Sequence, residues 1–169
     1  MISVNPVLYL VYAQNNSSNS TILKQQQSNP VEENKILVRL AIEEIFNKHN
    51  LTAADKYIAK NLAQGQDFDQ GLEALKEFFH GFFTAFPDSH ATIEHIIGED
   101  DNVLVFLNWT GTHKGEFQGK MPTDKPITMR TAHLFRIEDG KIAENREISD
   151  TLNLLRQIGV ITFNYTRDS

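Results

Sequence analysis

The chain has no cysteine, a single tryptophan, five prolines and no apolar run long enough to cross a bilayer. Without cysteine there is no disulfide, no thiolate nucleophile and no cysteine-bound metal, and the redox compartment is left open. The longest apolar run, Val7-Leu8-Tyr9-Leu10-Val11-Tyr12-Ala13, falls far short of the ~20 residues a spanning helix needs, so no membrane span is expected. Positive charge is scarce: 16 Lys and Arg stand against 22 Asp and Glu, a net charge of -6. That balance argues against nucleic acid or an anionic membrane as a partner. The six histidines show no His-x-His or His-Glu-x-x-His spacing, so no metal site is expected. No Ser/His/Asp triad and no phosphate-cradling glycine loop can be recognised.

What is present amounts to one domain of 169 residues, large enough to bury a core. Residues 1–34 differ from the rest. The apolar run ends at Ala13, a candidate cleavage point, but no Lys or Arg precedes it and Pro6 interrupts its start. The chain is therefore read as cytoplasmic or exported. From Gln14 to Asn34 the residues are too polar to offset the entropy of ordering, which predicts a flexible linker. The folded domain is expected over 35–163, with a tail over 164–169.

Ile36, Leu37, Leu40, Ala41, Glu44 and Ile45 recur at helical spacing. A shorter helix is expected over 53–60, capped by Thr52. Leu72, Leu75, Phe79, Phe82, Phe83 and Phe86 form the clearest helical stripe, stopped by Pro87. Beyond Pro87 the period becomes two, predicting strands over 91–97, 103–112, 127–137 and 141–149. Helices first and an antiparallel meander afterwards make the fold class α+β. A strongly bent antiparallel sheet wrapped around the aromatic helix would form a cone, whose open mouth suits a small apolar molecule.

The turn at Asp139-Gly140 decides which side chains meet. A three-residue loop with Gly140 left-handed would oppose Ile137 to Lys141, His133 to Asn145 and Thr131 to Glu147. Met129, Thr131, His133, Phe135, Asn145 and Glu147 then share one face, with His133 and Glu147 as diagonal neighbours. A two-residue loop would oppose His133 to Arg146 and turn Glu147 away. The first register is preferred because it sends Arg130 and Arg136 to the outer face. An imidazole beside a half-buried carboxyl group can act as an acid/base pair, or serve as a satisfied polar pair within the sheet. Phe79, Phe83 and Trp109 are read as core or as pocket wall. His113, in the glycine-rich loop, is expected to be exposed, bordering the cavity mouth. Asp150, ahead of Leu152-Asn153-Leu154-Leu155 and Gly159, reads as the N-cap of a short C-terminal helix.

The order of motifs then suggests kinship. Phe86-Pro87-Asp88, Gly111-Thr112-His113 with Gly115, Phe117 and Gly119, Pro122-Thr123, Asp139-Gly140 and Gln157-Ile158-Gly159 follow one another as in the SnoaL-like polyketide cyclases. Phe46-Asn47, Asn50-Leu51, Asp55 and Tyr57-Ile58-Ala59 extend the resemblance towards the amino terminus. It covers about 34–160 and implies an NTF2-like cone, with three N-terminal helices packed in the bent sheet and a short C-terminal helix. It further implies intramolecular aldol ring closure, or a related isomerisation, of a polyketide-like ester without metal or organic cofactor. Glu147 falls on the family's acid/base position directly after an arginine, and His133 on that of its helper. Substrate contacts would come from Phe79, Phe83, Trp109, Met129, Thr131, Phe135, Asn145 and His113. A homodimer or higher homo-oligomer is also implied. Two positions depart from the family: Glu147 replaces an aspartate, and Gly65-Gln66 replaces a His-Asn pair. Because the fold hosts binding proteins as freely as enzymes, a non-catalytic carrier of a small hydrophobic ligand is the alternative, and a structural dimer module a third reading.

Overall fold

The computed structural model describes residues 29–64 and 71–162. The Val7–Ala13 run, most of the linker, Gly65-Gln66 and the 164–169 tail lie outside them. Asn29 opens the first helix, α1 (Pro30–Ala41), by accepting a hydrogen bond from the Val31 N–H at 3.1 Å, with Pro30 at the first helical position. Helix thus begins inside the stretch expected to be a linker, because a cap, a proline and Glu32 and Glu33 coincide at its start. The helix continues as a π-helical segment, Ile42–Asn47, in which Lys48 N–H reaches back to the Glu43 carbonyl. The wider turn presents both Ile42 and Phe46 to the interior. The Asn47 side chain then pairs with the backbone of Ala91 through both its oxygen and its nitrogen, fixing this segment to the start of the sheet.

A 3-10 turn (Leu51–Ala53) leads into α2 (Ala54–Tyr57), only four residues long. The helix expected over 53–60 is corrected here: its second half is a strand, β1 (Ile58–Gln64). β1 runs parallel to the last strand and makes the sheet mixed, where a wholly antiparallel one was expected. α3 (Leu72–Ala85) ends where Phe86 caps it ahead of Pro87. The remaining strands are β2 (His90–Glu99), β3 (Asn102–Thr112), β4 (Pro126–Glu138) and β5 (Lys141–Ser149), in the order β1-β5-β4-β3-β2. α4 (Thr151–Ile158) closes the domain, with the Asp150 carboxylate accepting the Asn153 N–H at 3.3 Å and Gly159 left-handed at φ 80°. Among the described residues the architecture is α+β, four α-helices against a five-stranded mixed sheet.

The core lies between α1, α3 and the inner sheet face. Phe79 and Phe82 of α3 meet the Trp109 ring of β3 at 6.2 and 5.5 Å, and Phe46 meets it at 5.1 Å. Such ring contacts add to the burial of large apolar surfaces. On the outer face Phe106 and Ile148 flank Ala132 across three strands, and Ile97 lies beyond; the three large side chains are exposed. Among the described residues no helix is long and apolar enough to cross a membrane.

Candidate functional site

The β4–β5 hairpin corrects the expected register. Asp139 and Gly140 both have positive φ, 51° and 70°, so the turn has two residues, with Glu138 opposite Lys141. That geometry would turn Glu147 outward, but β5 bulges at Ala143: Ile137 pairs with Ile142 and Arg136 with Glu144. Beyond the bulge Phe135 stands opposite Asn145 and His133 opposite Glu147. The shared face is therefore the expected one, while every pairing is displaced. His133 and Glu147 are direct cross-strand partners, not diagonal neighbours.

Both open onto a cavity of about 500 Å³. Its walls come from the π segment (Ile42, Phe46), β1 (Ile58, Leu62), α3 (Phe78, Phe79, Phe82) and the β4–β5 face. Gly115 packs so closely on the Thr84 carbonyl and Ala85 that any Cβ there would collide. This contact holds the loop after β3 against the end of α3 and brings Phe117 over the cavity.

His133 is 3% exposed and lies parallel to Phe135 at 5.4 Å between centroids. Its Nδ1 is 3.2 Å from Asn145 Oδ1 and 3.8 Å from Glu147 Oε2. Burial pushes its pKa below the usual 6.5, against the opposing pull of the Glu147 charge and the Asn145 hydrogen bond. The ring is thus neutral near pH 7, and its contact with Glu147 is a polar pairing and not a charged bridge. The Glu147 side chain retains 18% exposure, so its carboxylate reaches the cavity while its stem is packed. The neighbouring Arg146 and Glu144 pair with each other, 2.6 Å apart, and Arg136 joins Glu144 at 3.2 Å and Glu138 at 3.1 Å; two cations and two anions thus offset one another beside the site.

Of the candidates read from sequence, Phe79, His133, Phe135, Asn145 and Glu147 line the cavity together. Phe83, Trp109, Met129 and Thr131 are buried in the packing around it and do not line it. His113 departs from the exposed loop position expected for it. It is fully buried, its ring 5.4 Å from that of Phe86, with Nδ1 3.0 Å from Thr123 Oγ1. Asp124 N–H donates to its carbonyl and its own N–H to that of Lys125, so it staples the loop back onto β3. Lining residues that sequence reasoning passed over include Phe46, Leu62, Glu77, Phe78, Glu116 and Phe117. A signal existed for Phe78, an aromatic off the buried stripe and 48% exposed. Leu62 gave none, because its strand was not foreseen. Among the described residues no group of three or more His, Asp and Glu is placed to hold a metal ion.

Comparison with known proteins follows the same geometry. The model of the SnoaL-like polyketide cyclase family matches residues 36–158, which hold every cavity residue named above. Nogalonic acid methyl ester cyclase of Streptomyces nogalater is 29% identical over 119 residues, covering 68% of this chain and 89% of that protein. AclR of Streptomyces galilaeus, a candidate hydroxylase, superposes with a TM-score of 0.71 at 25% identity, covering 78% of this chain and 99% of its own. IdmH of Streptomyces antibioticus, a candidate polyketide cyclase, gives 0.66 at 28% identity, covering 75% and 98%. With the match running from α1 to α4 and taking in both His133 and Glu147, this chain belongs to the SnoaL-like polyketide cyclase family.

Proposed function

We propose that the protein closes a ring in a small, apolar, polyketide-like ester by an intramolecular aldol reaction, with no metal or organic cofactor. The observation that carries this reading is the pairing of His133 with Glu147 at the wall of an otherwise aromatic and aliphatic cavity. Glu147 carboxylate removes a proton from the carbon flanked by the ester and a conjugated carbonyl. The resulting enolate carbon attacks a second carbonyl of the same molecule: one C–C bond forms, and the π pair of that C=O moves onto its oxygen. That oxygen takes back the proton held by Glu147, so the product is an isomer of the substrate. Folding the flexible substrate so that its two carbons meet is the larger share of the work, and a positioned acid/base supplies ~10²–10⁴-fold more.

Phe79, Phe135 and Asn145 would touch the substrate directly, with Phe83, Trp109, Met129 and Thr131 backing that surface, and His113 holding the loop that carries Phe117. The charged side chains lining the cavity among the described residues are Glu77, Glu116 and Glu147, with no Lys or Arg. Such a lining favours an uncharged ester over a free carboxylate, because a second anion would face repulsion at low dielectric. Ring closure is preferred to the oxygenation suggested by the name of AclR because a proton donor and acceptor facing each other are what an aldol step uses. A homodimer or larger assembly, which the family resemblance implies, fits the apolar Ile97, Phe106 and Ile148 exposed on the outer sheet face.

The direct test is incubation with nogalonic acid methyl ester, the substrate in the name of the relative from Streptomyces nogalater. Cyclisation shows as a new chromatographic peak of unchanged mass, lost in Glu147→Gln. Retention of the ester without conversion by the unmodified protein would sink the enzymatic reading and leave a ligand carrier.

A further inference from the structure

Behind His133, away from Glu147, stand two buried polar groups to which the reaction above gives no part. Trp109 Nε1 lies 3.2 Å from Thr131 Oγ1, and Thr131 Oγ1 lies 2.9 Å from His133 Nε2. The three residues are 2%, 4% and 3% exposed, so water does not compete for these contacts. Trp109 is on β3, and Thr131 and His133 are two residues apart on the inner face of β4.

What each group can donate or accept fixes the direction of this file. An indole N–H only donates, so Thr131 Oγ1 accepts from Trp109. The threonine hydroxyl has one proton of its own, and the acceptor within reach is His133 Nε2. A neutral imidazole that accepts at Nε2 carries its proton on Nδ1. Nδ1 in turn faces two oxygens, Asn145 Oδ1 and Glu147 Oε2. The other tautomer would set a bare Nδ1 lone pair against both oxygens and take from the Thr131 hydroxyl proton its imidazole acceptor, at the cost of unmade buried hydrogen bonds.

We propose that Thr131, anchored by Trp109, is a positioning residue that locks His133 in the Nδ1–H form and so aims a proton donor, not an acceptor, at Glu147. The consequence for the reaction rests on the function proposed above: Glu147 alone moves the proton, and His133 steadies the carboxylate, then the oxyanion that forms beside it. The tautomer itself does not depend on that function.

The experiment is a long-range ¹H–¹⁵N correlation spectrum of the imidazole rings in the full, ¹⁵N-labelled chain at pH 7.5. His133 is assigned from the signal lost in His133→Gln. In the unmodified protein Nδ1 is expected to show the shift of a protonated nitrogen and Nε2 that of a bare one. Thr131→Val, nearly the same shape without the hydroxyl, should lose this exclusive pattern, and Thr131→Ser should restore it. A protonated Nε2 in the unmodified protein would overturn the assignment. An unchanged spectrum in Thr131→Val would overturn the part given to Thr131. If the valine variant fails to fold, the spectra of the unmodified and serine proteins still decide between the tautomers. Because the readout is spectroscopic, a protein that never cyclises an ester leaves it intact, and the two ideas fail separately.

Discussion

Glu147 faces His133 across β4 and β5 only because Ala143, between Ile142 and Glu144, stays out of the pairing. Were Ala143 paired, Arg146 would stand opposite His133 and the Glu147 carboxylate would project from the outer face. Deleting Ala143 removes the unpaired residue alone, so Arg136 still meets Glu144, Phe135 meets Asn145 and His133 meets Glu147. The deletion variant is therefore expected to fold and to keep its turnover. Circular dichroism and an activity assay on the purified variant check both. Loss of turnover in a folded deletion variant would show that the bulge does more than set the register.

Glu147→Gln keeps the shape of the side chain and removes its ability to carry a proton. Turnover should fall by about 10²–10⁴-fold with KM little changed, the pattern of a group needed in the transition state. Glu147→Asp keeps a carboxylate, shortened by one methylene, and should keep measurable activity. Steady-state kinetics on the three proteins separate these outcomes.

Stability should depend on His133 in a defined pH range. Unfolded histidine titrates near 6.5, and burial holds the folded His133 below that value. Between the two pKa values the unfolded chain binds a proton that the folded chain does not. Stability is therefore complete above the unfolded value and is lost as pH falls from there through the folded one. His113, also lowered mainly by burial, acts in the same direction. The carboxylates held low by hydrogen bonds, such as Asp88 bonded to Thr112, lose their contribution only below about pH 4. The melting temperature should be level above about pH 7.5 and decline towards about pH 5, less steeply in His133→Gln. A level profile across that interval would contradict a neutral, buried imidazole.

Gly81 lies in α3 on the cavity wall, and a Cβ built there meets nothing within 4 Å. Gly81→Ala should therefore stabilise the protein by about 0.5–1 kcal/mol, the usual helical gain over glycine. Gly81→Leu should carry a side chain into the cavity and reduce ester binding without unfolding the protein. Thermal melts and ligand titrations test the pair. A destabilised alanine variant would mean that the open space is filled in solution.

Local pattern revealed the parts of the molecule that local pattern governs. The alternation of Val103, Val105, Leu107 and Trp109 marks β3, and the Phe79-Phe82-Phe83 stripe followed by Pro87 marks α3 and its end. β1 escaped because Ala59, Lys60, Ala63 and Gln64 favour helix; its extended form comes from pairing with β5, a partner about 80 residues later. The Ala143 bulge escaped for a similar reason, since no residue type encodes a missing pairing. At the site, His133 and Glu147 stood out as polar residues on an apolar face. The burial of His113 did not, because it depends on the loop folding back onto Phe86.

The mixed sheet divides labour within the cavity. His133 and Glu147 sit on strands paired along most of their length, whereas β1, an edge strand, is joined to β5 among the described residues at Ile58, Ala63 and Gln64, with an irregularity between. Ile58 and Leu62, which shape one side of the chamber, can thus change without disturbing the ladder that sets the reacting groups. A chain so arranged can acquire new substrates by drift in its weakest strand while its chemistry stays the same.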